Sequence, residues 1–207
     1  MATQEELASR PDVSSLAMIA CYPTAEEAGA IAPAGGNPAD TMHVTMIFLG
    51  EAASIDMKAA ARAVGSVSGS TAPLAGAVGG VGVFAAGEDG FPQLAIPNVV
   101  GLAKLRTDLV NALADEGIEP GSEFDWVPHM TLAYSEEAEL PDISVIGATL
   151  TFDQLSLVEA DVRKDFPFDP EGSSDDVHRA TANSHTVLSR SEQRRRDILI
   201  NRAKEMT

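Results

Sequence analysis

The sequence predicts an α+β fold, and three observations predict it. Apolar runs of strand length outnumber helical ones and follow no regular strand–helix–strand alternation. Clear 3.6-residue spacing of apolar side chains is confined to two internal segments, one near residue 60 and one near residue 108. Two of the strand-like runs open with the same pattern, His-x-Thr-x: His43-Val44-Thr45-Met46 and His129-Met130-Thr131-Leu132.

Taken in order, Ser15–Cys21 is a short apolar run closed by Tyr22-Pro23, which suits a strand and a loop. Pro23–Asp40 is rich in Ala, Gly and Pro and is expected to be loop, with one helical turn at Ala25–Ala30. His43–Gly50 is β-branched and apolar and predicts a buried strand. Ser54–Val67 predicts a helix started by Ser54, with Ile55, Ala59 and Ala63 on one face. Ala72–Val83 and Gln93–Pro97, joined across Gly87-Glu88-Asp89-Gly90, predict a hairpin. Val99–Gly117 is the clearest helix, with Leu102, Leu105, Leu109 and Leu113 in register and Gly117 as its stop. Phe124–Tyr134, Ala148–Phe152 and Gln154–Val162 predict three further strands.

Beyond Phe168 the composition changes. Residues 1–168 are expected to form one domain, 169–177 a Pro/Gly/Ser/Asp-rich linker, and 178–207 a basic helical tail that Ser191 can cap. A helix of that length does not hold alone, so its Ile198, Leu199 and Ile200 need a surface to dock on. The tail is therefore a candidate contact for a protein partner. Its Arg194-Arg195-Arg196 run suits nucleic acid, the acidic body or a partner equally.

Charge narrows the function. The chain of 207 residues carries a net charge of −17, yet residues 178–207 hold seven of its 14 Lys and Arg against three acids, leaving +4 there and −21 elsewhere. Affinity for a long phosphate backbone comes from basic side chains that replace counterions. A body this acidic is expected to take a small phosphorylated molecule rather than a duplex. The opening residues carry no apolar run of the signal-peptide kind, and the uncharged stretch between Arg62 and Glu88 is too rich in glycine for a membrane-spanning helix. The lone Cys21 fits a reducing compartment. These features together predict a cytoplasmic protein that makes no membrane contact.

The paired motifs carry the chemistry. Residues i and i+2 of a strand share a face about 7 Å apart. Each motif thus presents an imidazole and a hydroxyl on one side, and sends Val44, Met46 and Phe48, or Met130, Leu132 and Tyr134, to the other for packing. Two such strands side by side bring together two imidazoles for general acid–base work and two hydroxyls for nonbridging phosphate oxygens. The arrangement calls for no cofactor and no metal. A lone His-x-Thr on a strand is as readily a satisfied structural histidine; two of the four histidines in one pattern make the functional reading the stronger. Tyr22 could stack on a base or simply pack at a strand end, Trp126 is expected in the core, and His178 and His185 have no ligand pattern around them.

HVTMIFLG and PHMTLAY resemble the paired motifs of the 2H phosphoesterase superfamily, which includes 2′-5′ RNA ligase-like proteins, 2′,3′-cyclic nucleotide phosphodiesterases and phage enzymes that degrade cyclic oligonucleotides. TFDQLSLVEADV resembles the family's closing strands, so that the likeness spans about residues 14–166. It implies two lobes of antiparallel sheet related by a pseudo-twofold, with the cleft between them. It further implies His43 and His129 as the acid–base pair, with His129 as base and His43 as acid, and Thr45 and Thr131 as phosphate ligands. The substrate implied is a small nucleotide or an RNA-terminal cyclic phosphate, and the setting is the cytoplasm or a phage-derived assembly. Two other readings stay open at this point: a 2H module docked into a larger assembly through residues 178–207, and a module that sequesters a nucleotide without turning it over. The body carries only seven of the basic residues, which speaks against RNA ligation.

Overall fold

The computed structural model describes residues 16–119, 126–160 and 162–169. All lie within one compact unit of the chain, residues 1–173. The expected tail, and all of the expected linker but Asp169, lie outside the described residues, as do His178, His185 and the arginine run.

Eight strands and three α-helices are described: β1 Leu16–Cys21, α1 Ala25–Ile31, β2 Val44–Glu51, α2 Met57–Ser68, β3 Leu74–Val83, β4 Phe91–Val99, α3 Leu102–Asp115, β5 Met130–Ser135, β6 Thr149–Phe152, β7 Gln154–Glu159 and β8 Val162–Pro167. They form two four-stranded sheets, ordered β2-β1-β7-β8 and β5-β4-β3-β6, with every recorded pairing antiparallel. The α+β class holds. In each sheet the motif strand, β2 or β5, lies at one edge.

The leucine ladder predicts α3 well, because Leu102, Leu105, Leu109 and Leu113 are all buried. The helix stops where Gly117 turns left-handed at φ 77° and the Ile118 N–H caps the Leu113 carbonyl at 2.8 Å. The cap of α2 is Asp56 rather than Ser54. Its carboxylate accepts from the Lys58 and Ala59 N–H groups at 3.0 and 3.1 Å, while Ser54 closes a short 3-10 turn. That helix buries Ala59, Ala60, Ala63, Val64 and Val67.

One helical turn is expected at Ala25–Ala30; α1 is a seven-residue helix held by a capping box. The Thr24 hydroxyl accepts from the Glu27 N–H, and the Glu27 carboxylate accepts from the Thr24 N–H. The same carboxylate accepts from the Thr151 N–H at 2.9 Å, tying α1 to the edge strand β6. Burial pushes the Glu27 carboxyl pKa up, but the hydrogen bonds from Thr151 and Thr24 outweigh it and leave it below the ordinary value.

Two strand expectations need correction. Gln154–Val162 is not one strand: β7 ends at Glu159, Ala160 turns at φ 53°, and β8 returns antiparallel. β8 escapes an apolar-pattern search because it is an exposed edge strand, VRKDFP, whose Phe166 lies against α2 at Gly65. The second motif strand starts at Met130, not Phe124. Trp126–His129 precedes it without ladder pairing, and Pro128 has no N–H to offer one.

The core is continuous between the sheets and helices, with Ile19, Met46, Leu109, Leu113, Met130, Leu132 and Phe152 at 0–1% exposure. No helix among the described residues is long and apolar enough to cross a membrane. Leu109 is fully buried, so Leu109→Ala is expected to cost about 2–5 kcal/mol in a urea titration. A loss below about 1 kcal/mol would show that α3 does not anchor the core.

Candidate active site

Each motif strand carries one extra residue just after its threonine. In the β1–β2 ladder Ala20 faces Thr45 but the next residue back, Ile19, faces Ile47, leaving Met46 as the bulge. In the β4–β5 ladder Leu94 faces Thr131 and Gln93 faces Ala133, leaving Leu132 as the bulge. The two lobes thus repeat the same irregularity at the same place in the motif.

The consequence is a change of face. Strict alternation sends Phe48 and Tyr134 to the packing side, opposite the histidines. With one residue inserted the period slips by one, and both aromatics emerge, at 52% and 47% exposure. Tyr134 joins the lining of the cleft, correcting the expectation that it packs in the core. The sequence did hold a signal for this: an aromatic stands five residues after each histidine, in HVTMIF and HMTLAY.

The cleft has a volume of about 330 Å³ and is lined by Asn37, Thr41, His43, Thr45, His129, Thr131 and Tyr134. The structure therefore brings together all four residues that the motifs single out. His43 and His129 each stand one residue before a strand and are half-buried. Each ring directs Nδ1 at the carbonyl two residues earlier: Thr41 for His43 and Val127 for His129, both at 2.7 Å. A carbonyl oxygen only accepts, so Nδ1 carries the proton in both rings. In the neutral state Nε2 is then the open lone pair, and in the cation it holds the proton that can be given away.

Each imidazole also has an aromatic neighbour. Tyr22 lies against His43 with ring centroids 5.3 Å apart, and Phe84 meets His129 edge-on at 4.8 Å. Tyr22 does not line the cleft; it is half-buried, and the Arg163 guanidinium sits 4.4 Å over its ring. Phe84 follows the glycine-rich β3, and no motif marks it. Cys21, next to Tyr22, is buried, and burial pushes its thiol pKa far up, so it supplies no nucleophile.

Among the described residues no lysine or arginine lines the cleft. Among the described residues no group of three or more His, Cys, Asp or Glu side chains is placed to hold a metal ion. Burial lowers the His43 pKa, the Thr41 carbonyl partly restores it, and the nearby His129 lowers it further. The cleft thus disfavours the state in which both rings are charged. One proton shared over two imidazoles is the charge state that suits one acid and one base.

Two further groups hold the motif strands themselves. The Asn37 side-chain amide donates to the Thr131 carbonyl at 3.1 Å, and the Trp126 indole N–H donates to the Thr45 carbonyl at 2.9 Å. Trp126 does pack against the core as expected, but its polar edge is turned to the first motif. Nothing in the sequence pattern marks Asn37.

Comparison with known proteins agrees with this fold. The family model of the 2′-5′ RNA ligase superfamily matches residues 34–164. No curated protein matches. Among solved structures the chain is similar to TT0787 of Thermus thermophilus, with a TM-score of 0.58 at 19% identity over 72% of this chain and 94% of that one. It is also similar to a crystal structure titled simply as a phosphoesterase, with a TM-score of 0.53 at 21% identity over 75% and 96%. LigT of E. coli complexed with 3′-AMP gives a TM-score of 0.51 at 19% identity over 75% and 95%. At such identities the likeness is one of fold. The family match spans more than half of the chain and includes both motifs, so the chain belongs to the 2′-5′ RNA ligase superfamily, the 2H phosphoesterases.

Proposed function

We propose that this chain is a phosphodiesterase that opens a small cyclic phosphate, either a 2′,3′-cyclic nucleotide or RNA end or a small cyclic oligonucleotide, by two-histidine acid–base catalysis. One observation carries the reading: two imidazoles, both locked with Nδ1 protonated, share one cleft with the two motif threonines.

The atoms balance without a further reactant. His129 Nε2 takes a proton from water as the water oxygen attacks phosphorus. The bond from phosphorus to the leaving oxygen breaks, and His43 gives that oxygen its Nε2 proton. The product is a phosphate ester with a free hydroxyl. His129 now holds the proton that the water lost, and exchange with solvent restores the starting pair. The Thr45 and Thr131 hydroxyls donate to the nonbridging oxygens, where charge gathers in the transition state. A lowered pKa makes protonated His43 the stronger proton donor, which suits the acid role.

Size and charge support a small substrate. A volume of about 330 Å³ is at the lower end of the range for small-molecule pockets, about 300–1,000 Å³. LigT, which shares the fold, has been crystallised with 3′-AMP and with ATP, both of nucleotide size. With no lysine or arginine in the lining among the described residues, little there would hold the long backbones that RNA joining requires.

The test is turnover of 2′,3′-cyclic nucleotides and cyclic di- and trinucleotides in the presence of EDTA. His43→Ala and His129→Ala are each expected to lower kcat by about 10²–10⁴. Near-full turnover by either variant would sink the mechanism.

The pH profile follows from the lowered His43 pKa. The doubly protonated cleft has no base, and burial together with the neighbouring charge opposes a proton on His43, so that this state forms only beneath its ordinary value of 6.5. The acidic limb of kcat/KM, which reports the free enzyme, is expected below pH 6.5. An acidic limb above that value would contradict the electrostatics described.

A further inference from the structure

β2 and β5 are edge strands, so on one side of each motif the backbone has no ladder partner among the described residues. The bulges at Met46 and Leu132 also interrupt the ladder on the paired side, one residue from each threonine. Left so, the ladders alone would restrain the two motif strands weakly, whereas proton transfer on both sides of one phosphorus needs them at a fixed separation.

The restraint comes from the opposite lobe in each case. Trp126, three residues before His129, donates its indole N–H to the carbonyl of Thr45 at 2.9 Å. Asn37, six residues before His43, donates its side-chain amide to the carbonyl of Thr131 at 3.1 Å. The Asn37 backbone N–H adds a bond to the carbonyl of the bulge residue Leu132 at 2.8 Å. The approach to each motif therefore grips the other motif, at the same residue of the pattern. Both acceptors are carbonyls, so the amide of Asn37 must present nitrogen there.

Packing fixes both donors. A Cβ on Gly36 would lie 2.6 Å from the Leu132 carbonyl oxygen, so only glycine lets the loop press this close to β5. The Trp126 ring lies against the core with the Arg106 guanidinium 5.3 Å from its centroid. Neither donor is placed by its own catalytic chemistry: Asn37 lines the cleft beside the threonine it grips, and Trp126 does not line it.

We infer that Asn37 and Trp126 are a reciprocal pair of positioning residues that set the spacing of the two catalytic strands across the cleft. This rests on the phosphodiesterase reading for its effect on rate, but not for its effect on the two imidazoles.

The experiment compares Asn37→Ala, Trp126→Phe and the double variant with wild type. Thr71→Val serves as control, because it removes a hydroxyl-to-carbonyl bond of 2.7 Å at the end of α2, outside the cleft lining. Three quantities are read: kcat and KM on the cyclic phosphate that wild type hydrolyses, the NMR titration midpoints of His43 and His129, and the melting temperature. Each single substitution is expected to lower kcat about tenfold, and the double about a hundredfold or more, with KM changed less than about threefold. The His43 midpoint is expected to rise towards 6.5 as the loosened cleft admits water to its ring and its charge separates from that of His129. Variants that melt lower, as the control does, but keep kcat and both midpoints would overturn the inference and leave a structural role only. Silence of wild type towards all cyclic phosphates would be a failure of the activity reading. The histidine midpoints would then decide the positioning role alone, with unchanged midpoints counting against it.

Discussion

A strand shows alternate residues to alternate faces, and the side chains of the two motifs, with Tyr134, are placed at this cleft by that rule together with one breach of it. His43 with Thr45, and His129 with Thr131, face the cleft because they stand two apart. Tyr134 reaches the same face, five residues after its histidine, because the bulge at Leu132 inserts one residue between them. The bulge at Met46 gives Phe48 the same exposure in the other lobe. Removing the bulge at Leu132 would return Tyr134 to the packing side and take it out of the cleft lining.

The histidines are governed by a second local rule. Each ring spends its Nδ1 proton on the carbonyl two residues back, so that orientation and tautomer are set by the chain that leads into the motif. No carboxylate is needed behind either imidazole, unlike the arrangement in a Ser-His-Asp triad. Among the described residues the lining holds no lysine or arginine, so a proton on one imidazole is the positive charge it offers to an anion. The wider acidity of the chain does not oppose a small anion as it opposes a polymer, since repulsion grows with the number of phosphates brought near.

Much of this was legible in the residues. The leucines of α3 announce a buried face, because helix burial follows one period over fourteen residues. The two His-x-Thr patterns announce the site for the same reason, since chemistry and strand period coincide in them. What stayed hidden depends on contacts between distant segments. The capping box of α1 was present in Thr24 and Glu27 but lies in an Ala/Gly/Pro-rich stretch that masks it. β8 has an exposed edge pattern with no alternation to detect. Strand alternation misplaces Tyr134 because a bulge is a property of the pairing of two strands, and no single strand declares it. Asn37 and Trp126 act on carbonyls far away in the chain, and side-chain-to-backbone bonds of that kind leave no pattern.

If His43 and His129 are the two ends of one proton transfer through a single cleft, removing either should disable the same step. The most direct measurement is a double-mutant cycle on kcat with His43→Ala, His129→Ala and both together, using the cyclic phosphate that wild type hydrolyses. Residues that act as a unit are non-additive, so the double variant is predicted to be no slower than the worse single one. Losses that multiply, or a single variant with near-full activity, would show that the two imidazoles do not serve the same step.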